Sequence, residues 1–207
     1  MILSVSRRTD IPNYYSEWFL NRIKEGYLYV RNPMNTHQIS KIKITPELVD
    51  CIVFWTKNPK PMMDKLDELK DYFYYFQFTL TGYGKDVEPN LPHKREKMIP
   101  IFQELSRKLG KEKVIWRYDP IMITDQYTVE YHMQAFREIA ESLNGYTDKV
   151  IISFLDCYAN DSYDKVKKNR LQYDAASPLL CGKVEQEDKI TERKVKSLKE
   201  NQLRFKI

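Results

Sequence analysis

Two hydrophobic periods alternate along the chain. Short apolar runs without helical spacing occur at ILSVS (2–6), CIVFW (51–55), YYFQFTL (74–80), KVIWRY (113–118) and KVIISFL (149–155), and each reads as a β-strand. Helical spacing fills the intervals. YYSEWFLNRIKEG (14–26) follows the first strand, and MMDKLDEL (62–69) sets Met62, Leu66 and Leu69 on one face. Ile101, Phe102, Leu105 and Leu109 form the next stripe, and Val129, Met133, Phe136, Ala140 and Leu143 another. Strand and helix in alternation predict a parallel α/β protein. Thr128 is placed to cap the last helix and Asn144-Gly145 to close it. Pro100 either kinks a helix spanning 95–109 or marks its first turn. Residues 27–44 read as an inserted β-hairpin, with turn chemistry at Asn32-Pro33 and Asn35.

The ends of the strands share a character that the turns alone do not require. The first runs into Ser6, Arg7, Arg8, Thr9 and Asp10, and the second into Thr56, Lys57 and Asn58 before Pro59. The third reaches Thr79 and Thr81, the fourth Arg117 and Asp119, the fifth Ser153 and Asp156. In a parallel β/α barrel, complete or partial, the carboxyl ends of the strands lie on one face, where ligands and chemistry are placed. The expected architecture is therefore a parallel β/α partial barrel, an incomplete TIM-like barrel with an inserted β-hairpin. Each residue also has a plainer reading: Asn58-Pro59 and Asp119-Pro120 as turn signals, and Arg117 as a structural ion pair with Asp119 or Asp156.

Composition narrows the classes. A chain of 207 residues with 42% hydrophobic and 13% aromatic content buries a sizeable core. No apolar run reaches membrane-spanning length and the start MILSVSRRTD lacks a signal-peptide pattern, so a cytoplasmic protein without membrane partners is expected. Cysteines at 51, 157 and 181 form neither a disulfide framework nor a C-x-x-C pair. The net charge of +5 suits anionic ligands or nucleic acid, and basic residues cluster at 163–170 and 189–199, where a solvated helix face is the plain alternative. TGYGKD (81–86) has the glycines and lysine of a phosphate loop but not the full spacing. His37, His93 and His132 stand alone, and Trp55 and Trp116, at matching places late in two strands, read as core.

Several stretches carry a resemblance. SRRTDIP (6–12), VFWTKNP (53–59), YYFQFTLTGYGKDVEPNLP (74–92), VIWRYDPI (114–121) and SPLLCGKVEQEDKITERKVKSLKENQL (177–203) resemble a bacterial family known as domain of unknown function eighteen forty-eight. Residues 1–156 resemble its amino-terminal part and 157–207 its extreme carboxyl terminus. The resemblance implies a relation to radical SAM enzymes and to spore photoproduct lyase-like DNA repair proteins on a β/α barrel, with S-adenosylmethionine and a [4Fe–4S] cluster as cofactors. It implies that Cys157, which opens CYAN (157–160), matches the last cysteine of a C-x-x-x-C-x-x-C cluster motif. The two preceding cysteines have no counterpart, because FLD (154–156) runs straight into CYAN where the family carries a long segment. One thiolate does not replace three, and the spacing of Cys51, Cys157 and Cys181 prepares no common loop, so no cofactor is expected to be held by this chain.

The combined expectation is a radical SAM-like barrel without a competent cluster site, Cys157 being a remnant ligand. Residues 1–156 form the partial barrel, and 157–207 a basic helical extension packed on it. Arg117, Asp119 and Asp10 are the catalytic candidates, with Asp119 orienting Arg117 or accepting a substrate proton. Arg7, Arg8, Lys57, Asn58 and Thr81 are the substrate-binding candidates, the cations holding anionic groups. The alternative is a non-catalytic α/β domain that holds a phosphorylated ligand or nucleic acid. Open barrel edges favour a homo-oligomer that covers them.

Overall fold

The structure, a computed structural model, describes residues 1–6, 9–32 and 34–155. Arg7, Arg8, Cys157 and the expected extension 157–207 lie outside the described residues. Five parallel strands form one sheet in the order β1 (Ile2–Val5), β4 (Cys51–Thr56), β5 (Tyr74–Thr79), β6 (Val114–Ile121) and β7 (Val150–Phe154). This order follows the chain, and the sheet is open. The hairpin predicted over 27–44 is present as β2 (Tyr27–Arg31) and β3 (Ile39–Lys43), antiparallel and separate from the main sheet.

The helices are α1 (Ile11–Tyr14), α2 (Ser16–Glu25), α3 (Lys60–Met63), α4 (Ile99–Leu109) and α5 (Val129–Leu143). The helix expected over 14–26 is present as α2, and the short α1 precedes it, separated by Tyr15, whose φ of −135° breaks the helical path. The segment expected as one helix over 62–69 is α3 followed by a 3₁₀ turn, Leu66–Leu69. Pro100 sits in the first turn of α4, and a π-helical stretch Lys94–Met98 runs directly into it through helical backbone at Met98 and Ile99. Thr128 caps α5 by accepting from the Tyr131 amide at 3.2 Å, and Gly145 beyond its end adopts φ +81°.

Register shows which face of the sheet is covered. Phe54 pairs with Phe76 and Phe78 with Trp116, so these rings share one face. On that face Phe19 of α2 meets Phe54, Phe102 of α4 meets Phe78, and Phe136 of α5 stacks on Trp116. All three helices thus pack on the same side, as right-handed crossovers between strands in sequential order require. The core of Leu20, Ile23, Leu66, Leu69, Leu105 and Leu143 fills this layer. The other face presents Ser4, Trp55, Tyr75, Gln77, Ile115, Arg117 and Ser153, a mixture of polar, half-buried and exposed groups, with Val53 buried among them. Trp55 and Trp116 therefore fall on opposite faces: Trp116 is fully buried, whereas Trp55 is 38% exposed and does not belong to the core.

Candidate functional site

The carboxyl ends of β1, β4, β5 and β6 meet around one cavity of about 220 Å³, whose walls include Asp10, Lys57, Thr81, Tyr83, Glu88 and Asp119. Asp10 begins α1 and accepts from the Asn13 amide at 3.1 Å. The same carboxylate accepts from the Thr56 hydroxyl and the Lys57 amide, each at 2.7 Å, and so ties the end of β1 to the end of β4. Burial pushes the Asp10 carboxyl above the usual carboxylate value of 3.8, against the opposing pull of the Lys57 amide and the Thr56 hydroxyl.

Glu88 lies beside it, on the loop that follows β5. Its side chain is only 6% exposed and is bracketed by two ammonium groups: Lys57 Nζ stands 2.5 Å from Oε1, and Lys94 Nζ is bonded to Oε2. Thr81 donates to Oε2 at 3.0 Å. Burial by itself would raise the Glu88 carboxyl, but Lys94 and Lys57 outweigh it and hold the group below its ordinary value. Sequence periodicity gave no signal for Glu88 or Lys94, because both sit in a stretch without hydrophobic spacing.

On β6, Arg117 pairs with Asp119, which also accepts from the Ser153 hydroxyl. The guanidinium carbon lies 4.5 Å from the centre of the Trp55 ring, a cation–π contact on the open face of the sheet. Asp119 links this stack to the cavity. Asn58 has a local role: its side-chain amide donates to Asn13 Oδ1 at 3.0 Å, and its own oxygen accepts from the Lys60 amide at 3.2 Å ahead of α3. Asp10, Lys57, Thr81 and Asp119 are thus brought together, Arg117 acts from behind Asp119, and Asn58 shapes the turn.

The loop TGYGKD is held by its own groups. The Gly84 amide donates to Tyr127 Oη at 3.1 Å, Tyr127 donates to Asp86, and Lys85 Nζ donates to the carbonyl oxygens of Pro89, at 3.1 Å, and of Leu91. A phosphate cradle needs free amides, and the Gly84 amide already has a partner. His132 is likewise structural. Its Nε2–H donates to the Met122 carbonyl at 2.9 Å, so Nδ1 accepts from the Tyr118 hydroxyl at 2.8 Å, and burial holds the ring neutral. Gly82 lets this loop approach α5: an added Cβ would lie 2.6 Å from Ala135 Cβ and 3.0 Å from Tyr118 Oη. Gly82→Ala is therefore expected to destabilise the fold by about 1–3 kcal/mol in urea unfolding.

Cys51 stands away from this end of the sheet. The chain has three cysteines. Cys157 and Cys181 lie outside the described residues, and Cys51 opens β4 at the opposite end, opposite Ile2. Six residues of extended strand separate it from Lys57, about 20 Å at ~3.3 Å per residue. Burial also raises its thiol above the usual cysteine value, which disfavours the thiolate that a metal needs.

Among the described residues no helix is long and apolar enough to cross a membrane. No curated protein and no solved structure matches the chain. One family does: the Domain of unknown function (DUF1848) matches residues 2–207.

Proposed function

The chain belongs to the Domain of unknown function (DUF1848) family, and from that premise we propose that it is a ligand-binding protein whose cavity takes a small organic molecule bearing hydroxyl or amino groups, with Asp10 as proton acceptor. The observation that carries this reading is the convergence of Asp10, Lys57, Thr81, Glu88 and Asp119, from several strand ends and the loop after β5, on one cavity. Lys57 and Lys94 neutralise Glu88 and Arg117 neutralises Asp119, so among the described residues Asp10 is the wall carboxylate with no cation paired to it, which favours a ligand that donates hydrogen bonds. At about 220 Å³ the cavity is below the usual range of drug-sized sites, so the ligand is small.

The sequential strand order, with α2, α4 and α5 on one face, supports reading the sheet as an incomplete β/α barrel whose interior is the Trp55 and Arg117 face. Radical chemistry forms no part of the proposal, because Cys51, one of the three cysteines, opens β4 at the end of the sheet opposite the cavity.

The test is thermal unfolding with ribose, inositol, ethanolamine, glucose 6-phosphate and inorganic phosphate. A bound polyol or amino alcohol at one hundred times its Kd stabilises by about 2.7 kcal/mol, a rise in Tm of about 5–10 °C. Asp10→Asn is expected to abolish that rise. In the native protein the rise should fade on acidification at a higher pH than an ordinary carboxylate would give, because protonation at the raised pKa of Asp10 removes the acceptor. Stabilisation by phosphate that survives Asp10→Asn and is lost in Lys57→Met would instead establish an anion site.

A further inference from the structure

We propose that the outward face of the β2–β3 hairpin is a binding surface for single-stranded nucleic acid. This surface is separate from the cavity and does not rest on the reading given to it. Residues 27–43 contain Arg31, Lys41 and Lys43 and no acidic residue. The register pairs Tyr27 with Lys43, Leu28 with Ile42, Tyr29 with Lys41, Val30 with Ser40 and Arg31 with Ile39. Side chains alternate between faces, so Leu28 and Ile42 share one face while Tyr27, Tyr29, Arg31, Ile39, Lys41 and Lys43 share the other. Leu28 is buried in the core and Ile42 packs against it, which fixes the first face inward. Every charge of the hairpin therefore points outward.

The outward face interleaves rings and cations. Each tyrosine stands directly opposite a lysine, the two rings meet edge to face with centres 5.6 Å apart, and Lys41 Nζ lies 4.0 Å from the centre of the Tyr27 ring. Among the described residues nothing covers Tyr29 and Ile39, which are 59% and 55% exposed. The base of the hairpin is anchored: the Ile44 amide donates to the Gly26 carbonyl at 2.8 Å, and Tyr72 donates to the Ile44 carbonyl at 2.7 Å. A sheet surface that carries rings beside cations suits a flexible polyanion whose bases are free to stack, the ring taking the base and the ammonium the phosphate. A duplex hides the faces of its bases and leaves the tyrosines without a role.

The experiment is fluorescence anisotropy of the full chain with fluorescein-labelled dT12 and U12, beside a 12-base-pair duplex, between 20 and 200 mM NaCl. Saturable binding to the single strands is expected, with log K falling against log salt at a slope of about −2 if three phosphates are neutralised. Lys41→Glu with Lys43→Glu should weaken binding at least tenfold. Tyr29→Ala should weaken it about tenfold with the slope unchanged, and Tyr29→Phe should keep it. These side chains are exposed, so the variants should unfold within about 2 °C of the native protein. The proposal is overturned by no saturable binding at 20 mM salt, by unchanged affinity in the charge variants, or by a duplex bound as tightly as dT12 with Tyr29→Ala silent. Light scattering that shows a dimer dissolved by the same variants, with no oligonucleotide bound, would assign the face to a second copy of the chain and overturn it equally.

Discussion

Glu88→Ala is expected to cost about 3–5 kcal/mol of unfolding free energy, the loss typical of removing one partner from a buried ion pair. The side chain is 6% exposed, and one of the ammonium groups that it neutralises, Lys94, is itself only 17% exposed. Without the carboxylate, the largely buried Lys94 is left facing Lys57, whose own side chain is 45% exposed and keeps its water. The other bonds of Lys94, to the Tyr83 carbonyl and to Thr81 Oγ1 at 3.3 Å, do not replace a charge. Tm should fall by on the order of 10 °C for a chain of this size. Glu88→Leu combined with Lys94→Met should regain much of the loss, since a buried pair exchanged for apolar groups of similar volume is often neutral. A double variant no more stable than Glu88→Ala would show that the loop depends on the charges themselves. The pair also sets a pH dependence. The folded value of Glu88 lies below its ordinary 4.5, so its contribution is full above pH 4.5 and disappears as pH falls through the lower folded value. Acid unfolding of Glu88→Gln should lack that component.

Trp116→Ala is expected to cost about 3–5 kcal/mol, whereas Trp55→Ala should stay within about 1 kcal/mol. Trp116 has no exposed surface, stacks on Phe136 with ring centres 4.6 Å apart, and donates its indole N–H to the Leu80 carbonyl at 2.8 Å. Its removal leaves a cavity in the layer between the sheet and α5 and an acceptor without its donor. Trp55 is 38% exposed and has the Arg117 guanidinium over its ring on the open face. Its fluorescence should respond to Arg117→Ala, because the cation over the ring is lost, while global stability barely moves. Guanidinium denaturation of the single variants, with emission of a Trp18→Phe background, reads both effects. Equal losses for the two tryptophans would contradict the assignment of Trp55 to the open face.

The two tryptophans also show where sequence reasoning reached its limit. CIVFW and KVIWRY are apolar runs with little alternation, so nothing in either run says which face a late tryptophan takes. The pairings Trp55 with Gln77 and Phe78 with Trp116 settle it. The strand–helix alternation, the hairpin and the Thr128 cap were legible because each rests on residues within one or two turns of each other. The polar strand ends were legible too, since Asp10, Lys57, Thr81 and Asp119 lie within a few residues of the ends of apolar runs. Asn58 looked the same by that criterion and is used by the turn into α3.

By itself the sequence determined the order of strands and main helices and the end of the sheet at which polar side chains gather, because period and local capping act over short separations. Only the tertiary structure decided which charges meet. Lys57 and Glu88 are 31 residues apart, and Lys94 reaches the same carboxylate from beyond the loop. Their meeting depends on the path of residues 81–94 over the strand ends, held by tyrosines from β6 and α5 and by Tyr127 before it. No local pattern encodes that path, and the desolvation that makes the contact matter exists only once the chain has closed over it.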